Sequence, residues 1–95
     1  MLGRYNPRFE SPECYVVAWT DTPADFDCTD PDNGSPGGIC ACAVCVGVSG
    51  TLVVTKRDGT DVTIPAGQLP NGGWWFGNIA ALKSTSTAQN VMVFW

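Results

Sequence analysis

Cysteine is the residue type in this 95-residue chain with the clearest chemical potential, and it occurs at Cys14, Cys28, Cys40, Cys42 and Cys45. Four thiolates can hold zinc or an iron–sulfur cluster, but structural zinc sites prefer two short-spaced pairs of ligands. Cys42 and Cys45 form one such pair, whereas Cys14 and Cys28 are isolated and lie far upstream. A metal site is therefore an alternative and not the main prediction for these residues.

The main prediction for the thiols is a disulfide that joins Cys40 or Cys42 to Cys28 or Cys14. Cys40 and Cys42 lie on the same face of a predicted strand, too close in sequence to bridge each other comfortably, yet each can reach an upstream cysteine. Disulfides are disfavoured in a reducing cytoplasm but can form once a particle leaves the cell. Reduced cysteines that pack as small apolar side chains are the other alternative.

Catalysis is not expected, because the sequence contains no histidine. This absence removes Ser-His-Asp and Cys-His catalysis and every zinc site that includes histidine. Aspartates concentrate between residues 21 and 38, but that segment is rich in proline and glycine and shows no apolar pocket that would raise the pKa of one carboxyl group. It also lacks the glycine and glutamate placement of an EF-hand. We expect solvated turn aspartates, no enzyme activity, and no cofactor or metal.

Short strands separated by turns are expected to position these side chains. Tyr15 to Trp19 is β-branched and aromatic, as is typical of a strand. Ile39 to Gly47 is small and apolar on both faces, which indicates a strand that is buried on both sides. No helical period extends beyond a turn or two. The pattern predicts an all-β fold over residues 15–95, a small antiparallel β-sandwich or partly open barrel.

A hairpin is predicted at Asp58-Gly59, which lies between two alternating runs and suits a two-residue type I′ turn. In the register that this turn would impose, Thr55 faces Val62 and Lys56 faces Asp61 as an exposed ion pair. One face of the hairpin would then hold Val53, Thr55, Val62 and Ile64.

Residues 1–14 are predicted to form an extended arm, because Pro7 and Pro12 lie among charged residues with few large apolar ones. A segment of this composition cannot bury itself. It is expected to lie against a neighbouring protein and not against its own domain.

Two pairs of adjacent aromatic residues, Trp74-Trp75 and Phe94-Trp95, indicate a protein contact surface. Neighbouring side chains in a strand point to opposite faces, so one core can take only one member of each pair. The other members must meet solvent or a second protein, and soluble monomers usually avoid a sizeable exposed apolar patch. The candidate interface residues, including two from the arm, are Tyr5, Arg8, Trp74, Trp75, Phe94 and Trp95.

Composition also favours a subunit of an assembly. A chain of this length buries only about 60–65% of its unfolded surface, so its monomer would be marginal. The net charge of −4 and the scattered basic residues argue against nucleic acid. No apolar run approaches the roughly 18 residues that span a bilayer. Residues 1–7 lack the apolar region of a signal peptide, which predicts a soluble protein made in a cytoplasm.

From Val44 to Trp95 the chain is a succession of short apolar strands and turn signals. Its marked segments are Val46-Gly47, Gly50 to Val54, Arg57 to Thr63, Gly67 to Pro70, Ile79, Ser84 to Ala88 and Val91. This succession resembles the small head-spike base and capsid-decoration (cement) proteins of tailed phages and gene transfer agents. The resemblance implies a homo-oligomeric virion protein on the capsid exterior, assembled in the host cytoplasm, that decorates or cements the head or forms the base of a head spike or fibre.

The resemblance implies the major capsid protein and further copies of this chain as partners, with a head fibre protein as an additional candidate. No nucleic acid or membrane partner is expected. Two other functions stay open. One is a disulfide-stapled small binding module, for which carbohydrate stacked on Trp74 or Trp75 is a candidate ligand. The other is a Cys-rich metal-binding domain that uses Cys28, Cys40, Cys42 and Cys45.

Overall fold

Residues 15–95, the part of the chain that the computed structural model describes, form one antiparallel β-sheet. Its strands are β1 (Tyr15–Trp19), β2 (Phe26–Asp27), β3 (Ala41–Val48), β4 (Leu52–Lys56), β5 (Asp61–Ile64), β6 (Gly73–Leu82) and β7 (Gln89–Phe94). Two short 3-10 turns, Pro31–Asn33 and Pro36–Gly38, lie between β2 and β3. The predicted all-β antiparallel class is confirmed. The predicted arm, residues 1–14, lies outside the described residues.

The order of strands across the sheet is β1-β7-β3-β6-β4-β5, and β2 also pairs with β6. The first and last strands of the described chain are therefore neighbours. The long strand β6 links the two halves of the sheet. It pairs with β3 from Gly73 to Ile79, and with β4 and β2 near its end at Leu82. The register of β6 shifts once against β3 and once against β4, as expected where a strand carries bulges.

The core gathers the inward side chains of most strands and includes two tryptophans, Trp19 and Trp95. Trp95 is only 1% exposed, and its indole Nε1 donates a hydrogen bond to the Cys28 carbonyl oxygen at 2.8 Å. Trp19 Nε1 donates to the Ala88 carbonyl oxygen at 2.9 Å. Each ring therefore buries a large apolar area without leaving its one polar atom unsatisfied.

The β4–β5 hairpin exists, but the predicted turn type and register are wrong. Gly59 has a φ of +90° while Asp58 has a negative φ, so the type I′ requirement of two positive φ values is not met. Gly59 N donates to Lys56 O at 2.9 Å and Lys56 N donates to Thr60 O at 2.8 Å. These bonds close a three-residue loop, residues 57–59, with glycine in the left-handed position.

The longer loop moves the register by one residue. Thr55 now pairs with Asp61, and the Thr55 hydroxyl donates to the Asp61 carboxylate at 2.7 Å in place of the predicted Lys56–Asp61 ion pair. A one-residue slip exchanges the faces of a strand. The inward face therefore holds the apolar set Leu52, Val54, Val62 and Ile64. The observed register buries Leu52 and Val54, whereas the predicted register would have buried Val53 and the hydroxyl group of Thr55. The observed register is favoured because it buries more apolar surface and no hydroxyl group.

Candidate functional site

Four aromatic side chains meet on the outer side of the sheet, and we call them the aromatic face: Tyr15 of β1, Trp74 and Phe76 of β6, and Phe94 of β7. The ring centroids of Tyr15 and Phe94 are 5.5 Å apart, those of Phe94 and Trp74 4.7 Å, and those of Trp74 and Phe76 5.9 Å. All three spacings fall in the range of favourable aromatic pairs. The rings therefore form one continuous cluster.

Strand pairing explains why these rings meet. Tyr15 pairs with Phe94, and Phe94 and Phe76 both pair with Ala43 of β3. Directly paired residues project to the same side of a sheet, so these side chains form a row across four strands. A second row, one step further along β1, consists of Val17, Met92, Cys45 and Trp74.

The small residues of β3 allow the cluster to close. Trp74 and Phe94 belong to strands that are separated by β3, yet their rings meet at 4.7 Å. Ala43, the partner of Phe94, has no exposed surface although it lies on the outer side. The rings therefore meet over β3, and a large side chain at position 43 would occupy the space in which they meet.

Much of the aromatic face is open to solvent. Phe76 is 62% exposed, Trp74 42% and Tyr15 39%, and Val17 beside them is also exposed. A fully buried aromatic side chain removes about 150–250 Å² from water, so the three rings present on the order of 300 Å² of surface. Patches of this size are at the lower end of the largest apolar patches on soluble monomers, which often have a function.

The alternation predicted for the two aromatic pairs is confirmed. Trp75 packs against the core and Trp95 is buried in it, whereas Trp74 and Phe94 lie on the aromatic face. The Trp75 ring covers Gly77, where an added Cβ would lie 3.1 Å from the ring. The other candidate interface residues, Tyr5 and Arg8, lie outside the described residues.

Sequence reasoning missed two members of the aromatic face, Tyr15 and Phe76. Phe76 could have been found, because it lies two residues after Trp74 in the same strand and such residues share a face. Tyr15 could not, since its place depends on the pairing of β1 with β7, which no local pattern specifies.

The four described cysteines are free thiols. Cys28 is buried, and desolvation, followed by the charges of Asp27 and Cys40, raises the pKa of its thiol to about 12. Cys40 and Cys42 are half-buried and line a cleft with Arg57. The predicted bond between Cys28 and either of them is not formed here, and pairing with Cys14 falls outside the described residues. A disulfide in the mature particle stays a prediction.

A metal site is not assembled by the thiols in the described part of the chain. Within residues 15–95, no group of three or more cysteine, aspartate or glutamate side chains is arranged to hold an ion. The thiol of Cys45 lies instead 3.7 Å from the Gly72 carbonyl oxygen. Burial raises the pKa of the Cys45 thiol.

Two of the aspartates between β1 and β3, Asp27 and Asp30, have the turn roles predicted for them, whereas Asp25 accepts a hydrogen bond from the distant Ser84 amide at 2.7 Å. The Asp27 carboxylate accepts hydrogen bonds from the Thr29 amide at 2.9 Å and hydroxyl at 2.7 Å, which lower its pKa. Asp30 accepts from the amide of Asp32 at 2.9 Å and caps the first 3-10 turn. These bonds satisfy backbone donors locally, as in Asx turns.

The chain matches no family model, and comparisons with curated proteins and with solved structures also gave no match. Within residues 15–95, no helix is long and apolar enough to cross a membrane.

Proposed function

We propose that this protein is a structural subunit of a protein assembly, attached in several copies to the outer surface of a tailed-phage capsid. The observation that supports this proposal most directly is the aromatic face. Aromatic residues are enriched at the centres of protein interfaces, where they supply a large contact area at low conformational cost. Phe76 and Trp74 offer such area on one strand of the sheet, β6.

The edge strand β1 supports the same proposal. Its residues, Tyr15–Trp19, include no charge and no proline, although its outer backbone edge pairs with no other named strand of the described chain. Soluble proteins usually protect such an edge with charged residues or proline, because an exposed edge invites pairing with another chain. An apolar edge beside an aromatic surface favours a subunit whose edge is covered in an assembly.

The capsid is proposed as the location because of the likeness of the strand and turn succession to head-spike base and decoration proteins. In this role the partners are the major capsid protein and further copies of the chain, with a head fibre protein as a third candidate. The subunit requires no cofactor for this role, which is binding and not catalysis.

Incorporation into particles tests the proposal. Wild type, Phe76→Ala and the control Ile39→Ala would be produced in cells that make the particle, and the chain in gradient-purified particles would be quantified by mass spectrometry. Ile39 is 47% exposed and lies outside the aromatic face, so it controls for loss of an exposed apolar side chain. We expect Phe76→Ala to reduce incorporation at least tenfold, roughly the effect of losing an interface anchor. A wild-type chain absent from particles would contradict the proposal.

Carbohydrate binding is a second candidate function, favoured by one observation. The exposed rings of Trp74 and Phe76 are inclined by only 10° to each other, and an exposed ring can stack against the apolar face of a sugar. A glycan-array signal that Trp74→Ala abolishes and Ile39→Ala retains would favour this function over the capsid role.

A further inference from the structure

The four described cysteines lie in different surroundings, and two of them are placed to react with a small molecule. Cys28 has no exposed surface, and the Cys45 thiol donates a weak hydrogen bond to the Gly72 carbonyl oxygen at 3.7 Å. Burial raises the pKa of both thiols, which keeps them in the less reactive protonated form. Cys40 and Cys42 are half-buried and line a cleft.

Strand β6 brings a cation to this cleft. On one side of β6, Ala41 pairs with Ile79, so the cysteines on either side of Ala41 lie beside this part of the strand. On the other side of β6, the Arg57 amide donates a hydrogen bond to the Asn78 carbonyl oxygen at 3.1 Å. The arginine and the two thiols, which are distant in sequence, therefore meet at one point of the sheet.

The cleft has a volume of about 440 Å³, which is within the range of small-molecule sites. Besides the two thiols, it is lined by Arg57, Asn78 and the apolar Ile39. Arg57 is the only charged residue among the described residues that line it. Lys56 and Asp58 line the adjoining cleft, where their opposite charges offset each other. The cleft can therefore pair a negatively charged group with Arg57 beside the thiols.

The groups that line the cleft specify the chemistry of a ligand. A guanidinium binds carboxylates, often through two parallel hydrogen bonds, and an amide side chain can both donate and accept. A thiol forms a reversible covalent bond with the sulfur of another thiol through exchange with a disulfide. A small disulfide that carries carboxylates, such as oxidised glutathione, matches both the cation and the thiols.

We propose that the cleft is a modification site, in which Cys40 or Cys42 forms a mixed disulfide with a small carboxylate-bearing thiol of the glutathione class and Arg57 holds a carboxylate of that thiol. The protein thiolate attacks one sulfur of the small disulfide, whose S–S bond breaks as the new one forms. The second half leaves as a thiolate and takes up the proton that the protein thiol released. This inference does not depend on the assembly role proposed above.

Reaction of the purified full-length protein with oxidised glutathione tests the site. The reaction would be stopped with acid at early times, so that the first product is measured, and the adduct would be located by mass spectrometry of peptides. We expect the adduct at Cys40 or Cys42. It should be lost in the double variant that carries Cys40→Ser and Cys42→Ser, and retained in the control Cys45→Ser. An adduct formed mainly on any other cysteine would overturn the proposal.

The charge of Arg57 provides a second measurement, with cystamine, a cationic disulfide, as the contrasting probe. Arg57→Gln, at an exposed position, should slow the reaction with oxidised glutathione about threefold, as expected for loss of an exposed charge pair, and should not slow the reaction with cystamine. Lys83→Gln removes a positive charge outside the cleft and should change neither rate.

The two probes distinguish the role of the charge from a general change in the fold. Equal slowing of both reactions by Arg57→Gln, or an unchanged rate with oxidised glutathione, would overturn the proposed site. Near-ultraviolet circular dichroism would establish that the variants are folded. The wild-type peptide map and the Arg57→Gln rates decide the question if the double cysteine variant is not folded.

Discussion

The two edge strands of the sheet, β5 and β1, differ in the side chains that they expose. At one end the edge strand β5 exposes Asp61 and Thr63 and follows the charged loop at Arg57 and Asp58. At the other end the edge strand β1 exposes Tyr15 and Val17. Both edges leave backbone groups without a neighbouring strand in the described sheet. Polar and charged side chains discourage further pairing only at β5, and the β1 edge lacks that protection.

The largest expected effect is a difference in stability loss between a tryptophan in the core, Trp95, and a phenylalanine on the aromatic face, Phe76. Trp95→Ala should lower the free energy of unfolding by about 3–5 kcal/mol, because it removes a buried indole and leaves the Cys28 carbonyl without its donor. Phe76→Ala should lower it by less than about 1 kcal/mol. Urea denaturation measures both, and equal losses would contradict the distinction between the two sides.

A smaller effect is expected where the aromatic face crosses β3. Ala43→Leu should cost about 1–3 kcal/mol and separate the Trp74 and Phe94 rings, since the added side chain lies where they meet. Thr63→Leu, at the exposed polar end, should change stability by no more than about 0.5 kcal/mol. Thermal denaturation and near-ultraviolet circular dichroism report the two consequences. An unchanged aromatic signal in Ala43→Leu would show that the rings do not meet over β3.

In the β4–β5 loop, substitutions at Gly59 should change stability only through the backbone conformation. Gly59→Val should cost about 1 kcal/mol or more because of the positive φ, since no neighbouring atom of the described chain lies within 4 Å of an added Cβ. Gly59→Asn is the matched control and should cost less, since asparagine tolerates this region. Neither change should alter the attachment to other proteins that we propose for the aromatic face. A melting temperature unaffected by Gly59→Val would count against the loop geometry.

The smallest expected effect is a loss of stability at low pH that depends on the Asp58 carboxylate. The Thr60 amide donates to the Asp58 carboxylate at 2.9 Å and lowers the pKa of Asp58 below its ordinary value of 3.8. A group with a lower pKa in the folded state stabilises the fold above its unfolded pKa, and this contribution disappears as the pH falls through the folded pKa. Asp58→Asn should therefore lose less stability than wild type when urea midpoints are compared between neutral pH and a pH below 3.8. Identical pH profiles would exclude the effect.

Local patterns predicted the parts of this fold that depend on neighbouring residues. The strand at Tyr15–Trp19 and the opposite orientations of Trp74 and Trp75 follow from residue type and alternation, and both are confirmed. The hairpin register was wrong because Asp58-Gly59 suits two turn types that differ by one residue. Burial of Leu52 and Val54 selected between them, and that choice depends on the whole core. The aromatic face required a long-range pairing, β1 with β7, that the sequence alone did not indicate.

The order of strands has a consequence for when the aromatic face forms during folding. Tyr15 comes from the beginning of the described chain, Trp74 and Phe76 from its later middle and Phe94 from its end, so the aromatic face depends on contacts between distant segments. Such pairings are slow to form, because closing long loops costs entropy before the contacts compensate for it. An incompletely folded chain would therefore lack the aromatic face, the surface that we propose as its contact with other proteins. Maturation of the subunit would act as a checkpoint, admitting only chains whose folding is complete.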